Sequence, residues 1–265
     1  MTPPDSFCFV YTQHFRRDEY QEAVECLNEN LRVLHKLGSD DVERSQSELI
    51  LGNSYQELGE FDTAKHHLSE ALKIMITIHG TNHLDVALAL FRLGICLCET
   101  NQYEESLEKF QECLRIRVML LGNRDIECAN TYESIGIVQQ KKECHEDAVH
   151  SFERALAIKK TSLKDDDEDF CVLMHFIGNS LFALERYINA LSYFDDSTER
   201  KKIHYGRNDE EYAMAVVDKA ATYAKLGDEN RAMEVSCNLR LFIFVVRSFT
   251  FSSIAKMLPN LNLIF

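Results

Sequence analysis

The sequence predicts an all-α protein, a right-handed solenoid of antiparallel helix pairs stacked side by side. Two observations carry that expectation. Small residues recur with a period of 42: Gly52, Gly94, Gly136 and Gly178 share one register, continued by Ala220, and Ala64, Ser106, Ala148, Ala190 and Ala232 share another. Structure breakers are also scarce, with 3 Pro and 10 Gly in 265 residues, which favours long helices over strands and tight turns.

Larger residues keep the same period. Leu68, Phe110, Phe152 and Phe194 form one register, and Ala71, Cys113, Ala155 and Ser197 another. Within one unit, Leu51, Gly52 and Tyr55 fall on one face of a first helix, here called helix A. Gly59-Glu60 breaks that helix, and Ala64, Leu68, Ala71 and Leu72 line a second, helix B. The Gly of helix A and the Ala of helix B mark where two backbones approach closely. Such a pair cannot bury its apolar face alone and must stack on its neighbours.

The expected pairs are 42–58 with 61–79, 84–100 with 103–121, 126–141 with 145–163, and 168–184 with 187–205. A fifth runs from 210–226 into 229–236. Acidic residues stand at helix starts (Asp85, Asp125, Asp209, Glu210), where the helix dipole favours them. Residues 1–41 read as a degenerate first repeat in which Tyr20, Ala23, Leu27 and Leu31 match a helix B. The solenoid then occupies 42–236, with four full repeats and a partial fifth. Residues 237–265 form an aberrant apolar tail without Asp or Glu, although the chain holds 43 of them. This tail is expected to come from a truncated or mis-spliced product. Arg240, Arg247 and Lys256 interrupt it, where a membrane span needs about 20 apolar residues.

A formal charge of −14 repels phosphate backbones and anionic membranes. The expected partners are therefore other proteins, with no nucleic acid and no membrane. Nine cysteines without a CxxC pair, and no secretory signal in Met1–Tyr11, fit a reducing, cytoplasmic compartment.

The string Leu51-Gly52-Asn53-Ser54-Tyr55…Ala64…Leu68…Ala71, repeated as Ile135-Gly136…Ala148…Phe152…Ala155, resembles the tetratricopeptide repeat. The longer period, with "ALKI", "CLRI" and "ALAI" in helix B and Gly80-Thr81-Asn82-His83 after the first of them, resembles the kinesin-light-chain group of these repeats. The resemblance spans about residues 20–236 and implies a protein-binding scaffold. Kinesin light chains carry a cargo-gripping Asn in slots that here hold Ile50, Arg92, Ser134, Phe176 and Asp218, which argues against kinesin cargo. Leu49 and His175 stand where a chaperone-binding carboxylate clamp would want Lys.

The resemblance also implies that one face of helix A lines a concave groove. By that register the groove presents Gln46, Leu49, Asn53 and Gln56, then Leu88, Phe91, Ile95 and Cys98. Asn130, Glu133, Ile137 and Gln140 follow, and then Val172, His175, Asn179 and Phe182. This mixed apolar and amide lining suits an extended or helical segment. The competing reading is that Leu88, Phe91 and Ile95 only pack helix against helix. A membrane-tethered adaptor anchored by Leu239–Phe251, or a repeat module of a larger protein, are the alternative functions.

Motifs for chemistry are not found, and no cofactor is expected. The chain lacks GxGxxG and GxxxxGK[ST] phosphate loops. His145 and His150 are five apart, so they cannot share a zinc ion from one helix face. His79 and His83 straddle Gly80 in a loop, and His66-His67 reads as exposed helix surface. Neither is expected to hold a metal. The run Lys164–Asp169 reads as a solvated loop and lacks the ligand spacing of an EF-hand.

Overall fold

A computed structural model describes residues 17–37, 41–162, 168–206 and 209–235. The expected apolar tail, the start of the chain and most of the Lys164–Asp169 run lie outside the described residues, whereas Glu168 and Asp169 of that run open α8 rather than a loop. The helices are α1 (Arg17–Leu37), α2 (Asp41–Glu57), α3 (Phe61–His79), α4 (Leu84–Glu99) and α5 (Tyr103–Leu121). They continue with α6 (Ile126–Lys141), α7 (His145–Ser162), α8 (Glu168–Ala183), α9 (Tyr187–His204) and α10 (Glu210–Lys225). A further helical stretch covers 229–235, and no strand occurs among the described residues.

Two compact units divide between Glu143 and Cys144. In the first, α1 to α6 pack each on the next, and α2 also touches α4 as α4 touches α6. In the second, α7 to α10 follow the same rule, with α8 touching α10. Helix pairs therefore stack on their neighbours as the apolar faces require.

Local signals set the boundaries. Asp125 and Asp209 accept the backbone N–H of Glu127 and Glu211, each at 2.8 Å, and so cap α6 and α10. His83 takes the equivalent position before α4, its Nδ1 accepting from Asp85 N–H at 3.2 Å. At the other end of helix A the period governs a backbone dihedral. Gly59, Asn101, Glu143, Glu185 and Gly227 have φ of 80°, 60°, 61°, 59° and 78°. The turns at Gly59, Asn101, Glu185 and Gly227 close as Schellman motifs. In the first, the Gly59 and Glu60 N–H groups donate to Gln56 and Tyr55 at 3.0 and 2.8 Å. At Glu185, that residue and Arg186 donate to Phe182 and Leu181 at 3.0 and 2.9 Å.

The core of the first unit runs between successive pairs. Ala71, Met75, Val86, Leu90, Cys113 and Ile116 form one cluster. Ala64, Leu68, Leu93, Cys96 and Leu97 form another. A Cβ added to these glycines would run into large side chains of helix B. A Cβ on Gly52 would lie 2.5 Å from Leu68 Cγ, one on Gly94 2.8 Å from Phe110 Cε1, and one on Gly178 2.6 Å from Phe194 Cε1. The small residue of helix B approaches the same glycine's backbone in the second pair. Ser106 Oγ donates to the Gly94 carbonyl at 2.7 Å. Gly136 and Ala148 belong to different units.

This geometry makes the glycine and the left-handed turn testable. Gly178→Ala should destabilise by about 1–3 kcal/mol, because the buried Phe194 ring has nowhere to go, despite about 1 kcal/mol of added helix propensity. A melting temperature at or above wild type would contradict it. Glu185→Gly should stabilise by about 0.5–1 kcal/mol by relieving a left-handed side chain. The measurement is the urea midpoint at unchanged slope.

Candidate functional site

The expected groove residues fall into two groups. On α2, Gln46 is exposed, while Leu49 is half-buried against both core clusters of the first unit. Asn53 and Gln56 are half-buried, and their Oδ1 and Oε1 acceptors are fully enclosed without a hydrogen-bond partner. On α4, Arg92 carries an enclosed Nε donor in the same condition.

The remaining positions are more engaged with the protein itself. Leu88, Phe91 and Ile95 are half-buried. Phe91 meets Phe110 edge-on with centroids 5.5 Å apart, and the Arg117 guanidinium lies 4.7 Å from its ring. Ile95 packs on the cluster of Cys98, Phe110, Ile135 and Val138. On α6, Asn130, Glu133, Ile137 and Gln140 are half-buried. On α8, Val172 and Asn179 are half-buried, and Phe182 meets the Tyr187 ring at 5.3 Å.

His175 is buried in an internal network. Lys201 Nζ lies 3.2 Å from His175 Nδ1, and His175 Nε2 lies 2.8 Å from Asp218 Oδ2. An ammonium group only donates, so Nδ1 accepts and Nε2–H donates to the carboxylate. His67 is likewise not the exposed residue expected from the sequence. Its Nδ1 lies 2.7 Å from Glu48 Oε2, and its ring stacks on Tyr55 at 5.4 Å.

A repeated ion pair escaped the sequence reading. Arg117 reaches Glu127 at 2.6 Å, Lys159 reaches Asp169 at 2.8 Å, and Lys201 reaches Glu211 at 2.7 Å. The three cationic side chains are 5%, 2% and 2% exposed. Each joins helix B to the first turn of the next helix A. The signal was available, since both the bases and the acids are spaced by the repeat period. Arg117 also donates to Thr131 Oγ1 at 2.7 Å and to the Glu127 carbonyl at 2.8 Å. Such extra bonds offset the desolvation of a buried charge.

Two core thiols are chemically muted. Burial pushes the Cys96 and Cys113 thiols up to about 11, so they stay protonated and are poor nucleophiles. The structure does bring His79 and His83 together, with rings stacked at 4.2 Å and Asp85 beside them. No helix among the described residues is long and apolar enough to cross a membrane.

Comparisons with known proteins agree with this architecture. The tetratricopeptide repeat profile matches residues 12–75, 43–117 and 85–161, which together cover more than half of the chain. No curated protein matches. A kinesin light chain with nearly identical TPR-like repeats from Podosopora anserina superposes with a TM-score of 0.67 at 16% identity. That match covers 78% of this chain and 97% of the other. BtubC (BKLC) from P. vanneervenii gives 0.70 at 13% identity, covering 88% and 94%. The apo quorum sensor NprR from B. thuringiensis gives 0.63 at 14% identity, covering 91% and 70%. At such identities the structures speak for the fold alone, and the profile match supplies the family: this chain belongs to the tetratricopeptide repeat proteins.

Proposed function

We propose that the chain is a protein–protein interaction scaffold whose α2 and α4 face binds an extended segment of a partner protein. The reading rests on one observation above all: Asn53 Oδ1 and Gln56 Oε1 are enclosed acceptors without partners on the face where a groove is expected. A buried unpaired polar group costs about 1–3 kcal/mol. Turned outward about their side-chain bonds, these amides would accept backbone N–H groups of an added segment, as in peptide recognition by main-chain bonding. Asn53 and Gln56 are three apart and so share a helix face, spaced to take successive donors. The enclosed Arg92 Nε donor on α4 suits a carbonyl or carboxylate of the same segment.

Phe91 contributes through packing that holds α4 in place, given its contacts with Phe110 and Arg117. His175, tied to Lys201 and Asp218, would hold the second unit's face rigid in the same way. The tetratricopeptide family is generally one of non-catalytic interaction modules, and the protonated thiols support a binding role over catalysis. Cys26, Cys96, Cys98, Cys113 and Cys128 carry free thiols, which supports a reducing, cytoplasmic setting.

The test is selection of phage-displayed random peptides on the full chain. Selected peptides should bind wild type and lose about fivefold to a hundredfold affinity on the Asn53→Ala/Gln56→Ala double variant, with helical circular dichroism unchanged. Selection of no peptide, or equal binding by the double variant, overturns the reading.

A further inference from the structure

We propose that His79, His83 and Asp85 form a binding site for one divalent transition-metal ion of the zinc class. The site lies at the α3–α4 turn and is independent of the binding face on α2. His79 Nε2 is 3.7 Å and His83 Nδ1 is 3.4 Å from Asp85 Oδ2, and the three ligand atoms all lie within 4.8 Å of one another. Ligands held about 2.0–2.2 Å from a tetrahedral zinc ion stand about 3.3–3.6 Å apart. Two of the three edges are thus near the needed length, and the imidazoles, stacked at 4.2 Å and 13°, must rotate out of their stack to aim both lone pairs at one ion. Two imidazoles and one carboxylate are a borderline-soft donor set, suited to zinc and its neighbours rather than to calcium or magnesium.

The protein's own repeat points the same way. In the other registers the acid at this slot is Glu127, Asp169 or Glu211, and each is neutralised by Arg117, Lys159 or Lys201. Here the cation slot holds Met75, which is 3% exposed and packed against Val86. Asp85 has lost its fixed counter-charge, and its ion-pair partners among the described residues are the two imidazoles. Two neighbouring slots depart from the repeat at the same place. His83 stands where Asp125, Asp167 and Asp209 stand, and His79 where Leu121, Leu163 and Tyr205 stand. Losing a cation and gaining two imidazoles around one carboxylate describes a site in which a bound ion supplies the missing positive charge.

The scaffold is prepared for it. Gly80 N–H donates to the Ile76 carbonyl at 2.9 Å, and Asn82 Oδ1 accepts from Arg115 Nη2 at 2.7 Å, which pins the turn to α5. Arg115 is itself held by Glu112 at 2.7 and 2.9 Å. The lone pair of His83 Nδ1 now accepts the Asp85 N–H at 3.2 Å, and metal binding takes over that lone pair. Side-chain exposures of 30%, 42% and 51% for His79, His83 and Asp85 leave an entry path and room for a water as fourth ligand.

The full chain, freed of metal with a chelator, is titrated with Zn²⁺ alone by calorimetry and with Co²⁺ alone by visible absorption. One equivalent should bind, without a sulfur-to-cobalt charge-transfer band. His79→Ala and Asp85→Asn should each weaken binding by at least about tenfold with unchanged helicity in the metal-free state. Met75→Lys should also weaken it, because the lysine would recapture Asp85 as Lys159 holds Asp169. No heat of binding, a sulfur band, or equal affinity in His79→Ala and Asp85→Asn overturns the proposal.

Discussion

Three helix pairs depend on a glycine seated beneath a large side chain. Where Gly94 and Gly178 cross helix B, the Phe110 and Phe194 rings occupy the volume a Cβ would need. A ring seated on bare backbone brings the two axes of a helix pair closer than ordinary side chains allow. That spacing then fixes which residues can meet. Ser106 reaches the Gly94 carbonyl only because the backbones are this near. The second half of each stack depends on the first, since a pair held at this distance presents Ala71, Cys113 and similar small residues as a surface for the next helix A. Interiors packed at crystal-like density leave little latitude for error.

Neighbouring pairs are also joined by charge. The Arg117–Glu127, Lys159–Asp169 and Lys201–Glu211 pairs each link the end of one helix B to the start of the next helix A. A buried cation with one correct partner is weak as a source of stability but effective at fixing orientation. Slipping α6 by one residue would strand the Arg117 charge, because Ile126 and Cys128 flank Glu127. Apolar packing brings the pairs together, and the ion pair selects the register. The repeat that lacks it, at Met75, substitutes apolar packing and leaves its acid to two histidines.

The proposed activities occupy two different elements of the first unit. The face of α2 carries unmatched amide acceptors, and the α3–α4 turn gathers two imidazoles around one carboxylate. Both are departures from the protein's own repeating solution. A periodic scaffold makes such departures visible, because every position has counterparts that show what packing alone requires. Asn53 has Ile95, Ile137 and Asn179 as its counterparts, so the slot accepts an apolar residue as well as an amide and packing alone does not require the amide.

The sequence by itself determined the helices, their order and their pairing. Helix identity depends on periodic burial and on breakers that act within a few residues, and a repeat of 42 displays each signal several times. The limits of α3, α5 and α6 coincide with those read from the pattern for this reason. Some side-chain roles were not legible. Glycine spacing announced a close approach but not its occupant, since Leu68 and Ala64 lie on the same helix face and only the crossing geometry decides which one fills the gap. His67 looked like surface because its partner, Glu48, lies on another helix. His79 and His83 looked unrelated because Gly80 stands between them. A left-handed glycine, with φ of 76°, folds the chain back and stacks the two rings. Contacts within a helix turn are written in the spacing of residues. Contacts across a turn or between helices depend on dihedrals and crossing distances, which the packed structure alone decides.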